Sequence, residues 1–418
     1  MITPVMERDL RTILTIQALR AFGYGFGSVL LGSVLASGGL SDGQVGLVFT
    51  AMLAGMAIVS VGVGWRGERL GRRNVYVTLL LVMAVTGLVY AFTDFVPLLV
   101  VAALTGTLST DPNESGPITS LEQAMLGHAP AELRTRVFGK YNAIAYLAGA
   151  IGALAAGGPA AFRHVLPALP ADQRWLLVFT FIGIASALLA RRLDHVVRPD
   201  PQSQDGPASD AAPAPPSGLG RSRRTVVKLG SLFGLDSFAG GFIVQAFIVF
   251  WFQRKFGASI ETMSLVFFAA GLLQAGSSIA AGRLAQRIGM LNTMVFTHLP
   301  SNILLLIVPL MPTLGSAVGV LLLRYALSQM DVPARQAYVV AMVDPDERTA
   351  AAAYTNTARY VTRPAGPVFA GALMQNVAIG APFFVAGGLK IIYDVAIFLT
   401  FRRVPLPSSA SSPPSSSS

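Results

Sequence analysis

The chain has 418 residues, 53% of them hydrophobic and only 12% charged, with a mean hydropathy of +0.59. A soluble globular domain carries about twice that share of charge, so a soluble core is excluded. The formal net charge is +10 and there is no cysteine, which excludes disulfides, thiolate metal sites and thiol redox chemistry.

The first nine residues, MITPVMERD, are polar, and no short apolar core with a cleavage site follows them. The first span is therefore expected to be an uncleaved start. Apolar runs approaching the ~20 residues that cross a hydrocarbon core then recur along the chain. Twelve spans are expected: 11–36, 44–63, 75–92, 97–126, 137–159, 174–190, 226–252, 259–281, 293–310, 314–343, 350–375 and 381–400. No strand-like alternation in ~10-residue units appears, which excludes a transmembrane β-barrel. The expected fold class is an all-α membrane protein.

Between spans six and seven, PDPQSQDGPASDAAPAPPSGLG (199–220) reads as a flexible linker, and the tail PLPSSASSPPSSSS as low-complexity sequence. The expected organisation is a six-helix unit over 1–198, a cytoplasmic linker over 199–224, a second six-helix unit over 225–403 and a disordered tail over 404–418. With the N-terminus inside, the inner segments hold 21 Lys and Arg residues and the outer loops hold only Arg163, Arg174, Arg254 and Lys255. The positive-inside rule then puts both termini in the cytoplasm of a multi-pass protein of the cell (inner) membrane. The basic excess is a topology signal, so no nucleic-acid partner is expected.

The two halves repeat one another. GWRGERLGRRN (64–74) and GRLAQRIGMLN (282–292) share Gly at the start, Glu or Gln at +4, Arg at +5, Gly at +7 and Asn at +10. RAFGYGF (20–26) matches DSFAGGF (236–242), and Asp111-Pro112 matches Asp331-Val332-Pro333. EQA (122–124) with PAELRT (130–135) matches RQA (335–337) with PDERT (345–349). Four matches in one order at nearly constant offset indicate a duplicated six-helix unit.

The charged turn resembles the loop between helices 2 and 3 of the major facilitator superfamily, whose usual form is G-x-L-a-D-R-x-G-R-K. Gly64, Glu68, Arg69, Gly71, Arg72 and Arg73 match it, and Gly282, Leu284, Ala285, Arg287 and Gly289 match in the second half. Glu68 replaces the usual Asp, and Gln286 replaces the acid. The resemblance implies two pseudo-symmetric six-helix bundles around a central cavity lined by helices 1, 4, 7 and 10. It also implies that each turn is half of a latch closing the cytoplasmic side. The expected gate comprises Gly64, Glu68, Arg69, Gly71, Arg72, Glu122, Arg134, Gly282, Arg287, Gly289, Arg335 and Arg348. Span 4 lacks the Arg-containing motif of many proton-coupled exporters, and GAIGALAAGGP (149–159) departs from the G-P-x-x-G-G arrangement of drug/proton antiporters.

Six basic residues (Arg20, Arg324, Arg335, Arg359, Arg363, Lys390) and six acids (Asp111, Glu114, Glu122, Asp236, Asp331, Asp394) fall inside spans. A charge facing lipid costs from ~3 to more than 10 kcal/mol, so these must face the bundle interior or water. Span 4 also carries STDPNESGP (109–117), where Pro112 and Pro117 remove backbone donors and Gly116 weakens the helix. Such a break near the midplane points to a binding site. The expected substrate and proton cavity is Arg20, Tyr24, Asp111, Asn113, Glu114, Asp236, Gln245, Arg324 and Asp331. Lys390 and Asp394, four apart, are expected to pair along span 12. Structural roles are expected for Arg359 and Arg363, and for His298, Pro300 and Asn302. Arg20 and Asp236, at matching places in spans 1 and 7, are expected to approach across the two halves, or else Arg20 pairs with Asp111 or Glu114.

No G-x-x-x-x-G-K-[ST] motif is present, and four scattered histidines make no metal or hydrolase constellation, so no cofactor, metal or enzymatic activity is expected. The expectation is a monomeric secondary active transporter in the lipid bilayer. It moves a small solute by alternating access, with protons as the coupling ion and export as the direction. Asp111 or Glu114 is the expected proton carrier. The alternatives are an organic-anion carrier using Arg20 or Arg324, and a passive facilitator.

Overall fold

The structure is a computed structural model describing residues 4–66, 71–109, 116–126, 131–163, 165–193, 220–344 and 347–404. The first half contains α1 (Pro4–Ser37), α2 (Asp42–Arg66), α3 (Arg72–Phe92), α4 (Val96–Ala103), α5 (Pro117–Leu126), α6 (Ala131–Ala155), α7 (Gly158–Arg163) and α8 (Leu177–Ala190). The second contains α9 (Arg223–Gly241), α10 (Gln245–Phe256), α11 (Ile260–Ile288), α12 (Met290–Ile307), α13 (Leu314–Leu327), α14 (Asp331–Ala341), α15 (Arg348–Thr362), α16 (Ala365–Asn376) and α17 (Ala381–Phe401).

Among the described residues, nine helical segments are long and apolar enough to cross a membrane. They correspond to nine of the expected spans. The other three, spans 4, 10 and 11, are divided into α4 and α5, α13 and α14, and α15 and α16. Span 7, expected to be continuous, also breaks, at residues 242–244. The breaks in spans 7 and 11 lie where these elements cross. α9 packs on α15, and Gly241 meets Gly366 so closely that a Cβ on Gly366 would lie 2.4 Å from the carbonyl carbon of Gly241. Pro364 in the adjoining turn lacks the amide that would carry span 11 through. Two broken helices thus touch at their breaks.

Two charged-turn glycines share one backbone device. Gly71 begins α3 at φ 80°, and Gly289 begins α12 at φ 87°. Side chains with a Cβ rarely adopt positive φ, so the +7 glycine of the repeated motif is a backbone requirement.

α1 lies at the centre of the first half, packed on α6 and α8, and also reaches α10 of the second. The halves meet through α1 with α10, α2 with α16, and α6 with α11. These contacts gather at one end of the bundle. Gln245 Nε2 donates to Ser28 Oγ at 2.8 Å, Gln253 to Ser37 Oγ at 2.9 Å, and Gly43 N to Gln375 Oε1 at 3.2 Å. Arg254 pairs with Asp42 at 3.4 Å. Backbone approaches are as tight, since a Cβ on Gly46 would lie 2.4 Å from Pro367 O and one on Gly32 2.3 Å from Ala246 O. The opposite end carries the charged turns. There Gly62 on α2 and Gly276 and Gly282 on α11 have nothing within 4 Å of a Cβ position. The described bonds and glycine contacts between the halves thus gather at the end away from the charged turns.

Candidate functional site: two buried ionic clusters

The first cluster joins spans 1, 3, 4 and 5. The Arg20 guanidinium grips Glu122 on α5 with two bonds, Nε to Oε1 at 3.2 Å and Nη2 to Oε2 at 2.5 Å. Tyr76 on α3 donates to Oε1 and Tyr141 on α6 to Oε2, each at 2.6 Å. Arg20 also donates to Gln17 Oε1 at 2.6 Å, Thr119 Oγ1 at 3.3 Å and Tyr24 Oη at 3.3 Å, and the Tyr24 hydroxyl donates to Thr107 O at 3.0 Å. Glu122 is fully buried, and its two oxygens take four bonds, which fills the acceptor capacity of a carboxylate. Such a pair is stable only when its remaining bonding capacity is met, as here. The cluster is a rigid pin through the first half.

The second cluster joins spans 7, 9, 10 and 12 and is looser. Asp236 on α9 accepts from Lys390 Nζ on α17 at 2.6 Å, and Arg335 on α14 stands 3.5 Å from its other oxygen. Arg335 also pairs with Asp331, one turn earlier, at 3.3 Å. His298 on α12 lies 3.8 Å from Asp236 through Nε2 and 2.8 Å from Asp394 through Nδ1, and Asn302 donates to Asp394 at 2.8 Å. The cluster therefore links three acids, two permanent cations and a histidine, with contacts at 3.5 and 3.8 Å that small helix movements can make or break.

The two clusters are pseudo-equivalent with their charges exchanged. Arg20 and Asp236 occupy one place in the repeat, and Glu122 and Arg335 another. Each half pairs its own two. This corrects the expected approach of Arg20 to Asp236: each charge is neutralised inside its own half, where burial makes a missing partner most costly. It also corrects the expected pairing of Lys390 with Asp394, which turn to Asp236 and to His298 with Asn302 respectively. Glu122 and Arg335, expected to join the gate, are instead 0% and 4% exposed and engaged in these pairs.

Other expected cavity residues scatter. Gln245 belongs to the sealed end, and Tyr24 to the first cluster. Arg324 is buried on α13 with its guanidinium over the Tyr325 ring. Asp331 begins α14 at the break in span 10. Asp111, Asn113 and Glu114 lie outside the described residues. Sequence reasoning missed Tyr76 and His298 as partners of these acids and gave Lys390 the wrong acid, although the matched frames 122–124 and 335–337 held opposite charges.

Of the gate residues, Glu68 and Arg69 lie outside the described residues, and nothing is described around Gly64 or of the Arg134 side chain. Arg72 opens α3, Arg287 sits in the last turn of α11, and Arg348 opens α15. Arg73 donates to Leu193 O at 3.4 Å, which fastens the start of α3 to the end of α8. Glu347, beside Arg348, closes the start of α9 by accepting the amides of Gly220 at 2.6 Å and Ser222 at 3.0 Å. A hydrogen bond from the Ser222 side chain foremost, together with these backbone bonds, holds its carboxyl below the ordinary glutamate range.

The chain is 26% identical over 428 residues to the uncharacterized membrane protein YJR124C of Saccharomyces cerevisiae, covering 95% of each. Its fold is similar to the nucleoside transporter NupG, at a TM-score of 0.72 and 13% identity, covering 94% of this chain and 99% of that one. It is also similar to a bacterial homologue of the human lysosomal transporter Spinster in an inward-facing, unoccupied conformation. That match has a TM-score of 0.68 and 15% identity and covers 95% of both chains. The Major Facilitator Superfamily profile matches residues 13–330. With paired half-bundles, repeated charged turns and this match over most of its length, the chain belongs to the Major Facilitator Superfamily of membrane transporters.

Proposed function

We propose that the chain exports a small solute in exchange for protons, as a monomer in the cell membrane with both termini cytoplasmic. The observation that carries the alternating-access part is the asymmetry between the ends. The described bonds and glycine contacts between the halves gather at one end, away from the charged turns. That is the geometry of one gate closed and the other open, with the 21 inner basic residues assigning the open end to the cytoplasm. A carrier must exchange these two arrangements, and the short pins within each half let the halves move as bodies.

Proton coupling is proposed at Asp111 and Glu114. α4 stops at Ala103 and α5 starts at Pro117, so these carboxylates fall between two half-helices of span 4. Glu122 is unsuited to the task because all its acceptor sites are filled. The gate is proposed to comprise the turns at Glu68 to Arg73 and Arg283 to Gly289. In proteoliposomes carrying a pH-sensitive dye, a panel of charged and neutral metabolites should include one that drives proton movement across the membrane. Asp111→Asn or Glu114→Gln should abolish that movement. A solute that accelerates its own counterflow with no proton movement would leave a facilitator, and conductance without counterflow would leave a channel.

A further inference from the structure

We infer that the C-terminal wall of the cleft binds a carboxylate or phosphate anion at Arg359. The inference rests on the transport reading for its consequence, although the site itself is argued from geometry. Arg359 lies eleven residues into α15, roughly 16 Å along the helix from its turn-bearing end and so near mid-depth. It stands in the field of Arg335, Asp236, Asp331 and Arg363. The second cluster uses Lys390 and Arg335 to neutralise its acids. Arg359 makes no ion pair among the described residues, and its Nε is buried with no hydrogen-bond partner.

The surroundings of Arg359 are those of a wet cleft. The side chain is half-buried, whereas Arg335 is 4% exposed. An arginine head facing hydrocarbon at this depth is strongly disfavoured, so its exposed part faces water between the halves. Beside it the helix exposes Asn356, Thr357 and Tyr360, a polar and aromatic strip, while Val361, at 67%, marks a separate apolar side. Tyr146 on α6 of the first half lies within electrostatic reach of Asp331. A guanidinium presents a planar fork matched to carboxylate and phosphate, and with no internal acceptor that fork is available to a solute. Asn356, Thr357 and Tyr360 can hold its neutral part.

The test uses the full chain in phosphatidylcholine nanodiscs. Succinate and phenyl phosphate are titrated calorimetrically, with benzyl alcohol as a neutral control. Saturable binding of an anion, weakened by roughly 10-fold or more in Arg359→Gln and partly restored in Arg359→Lys, is expected from the loss of a charged hydrogen bond. In the unsubstituted protein the anion should protect Arg359 from phenylglyoxal, a readout independent of whether any variant folds. A second set of nanodiscs containing phosphatidylglycerol distinguishes the source. If added lipid alone protects Arg359, the anion is a headgroup and the solute assignment is overturned. Equal anion binding in Arg359→Gln, or no protection by any of these anions, also overturns it. Arg359-dependent binding without counterflow in proteoliposomes would leave the site standing and remove the transport reading.

Discussion

At the scale of single residues, the two clusters show how a membrane chain stabilises charge away from water. Glu122 is held by an arginine and two tyrosines, so removing its charge leaves Arg20 buried beside neutral groups. Breaking a buried pair from one side costs about 3–5 kcal/mol. Glu122→Gln should therefore lower the thermal midpoint of the purified protein clearly. The exchange Arg20→Glu with Glu122→Arg should recover part of the loss, because the second half already uses the opposite polarity at the same two places. A double variant no better than Glu122→Gln would mean that the tyrosines, and not the charges, fix the polarity. This pairing was not read from the sequence, which set Arg20 against Asp236, Asp111 or Glu114 and put Glu122 and Arg335 in the gate. The frames beginning at Arg20 and Asp236, and at Glu122 and Arg335, lie in register, and complementary charges within each half follow once both frames are compared. Lys390 and His298 were not legible in this way, since their partner Asp236 lies far away in sequence and nothing in span 12 or span 9 names it.

At the scale of elements, apolar run length reveals a span but not its breaks. Spans 1, 2, 3 and 8 form uninterrupted helices, spans 1 and 2 even where Gly25 and Gly46 are crossed at close range by Gly149 and Pro367. The division of spans 7 and 11 falls where Gly241 meets Gly366, a contact between residues more than a hundred positions apart. Only Pro364 hinted at it. The break in span 4 was partly legible: Pro117 opens α5, but α4 already ends at Ala103, before Gly106 at φ 64°. The charged turns were legible because their +7 glycine is demanded by the backbone itself. Gly289→Ala forces a Cβ into a positive-φ position, a strain of order 1–3 kcal/mol. Gly276, within α11 and with open space around it, is the internal control, since alanine there favours the helix by up to about 1 kcal/mol. Gly289→Ala should lower the thermal midpoint and Gly276→Ala should leave it equal or raise it. Equal loss at both sites would show that crowding, and not backbone conformation, selects these glycines.

At the scale of the molecule, the sealed end decides which state is populated. Its closure needs hydrogen atoms where side chains would otherwise stand, because Gly46 and Gly32 each abut a carbonyl of the other half. A side chain at either place penalises the closed seal and leaves the state open at that end untouched. Overpacking a close contact costs typically about 1–3 kcal/mol. A difference of that size shifts a two-state ratio by about 5- to 150-fold. Gly46→Val should therefore move the population toward the arrangement that is open at the seal and closed at the charged turns. The absence of cysteine allows this to be measured directly. A single Ser28→Cys reports on the seal, where Ser28 is fully buried, and a single Gly276→Cys reports on the open end. With Gly46→Val present, a water-soluble maleimide should label position 28 faster and position 276 more slowly. The opposing changes matter, because simple loosening of the protein would accelerate both. If position 28 stays protected while Gly46→Val folds, the seal is held by its polar bonds (Gln245 to Ser28, Arg254 to Asp42) and the glycine contacts merely accompany it.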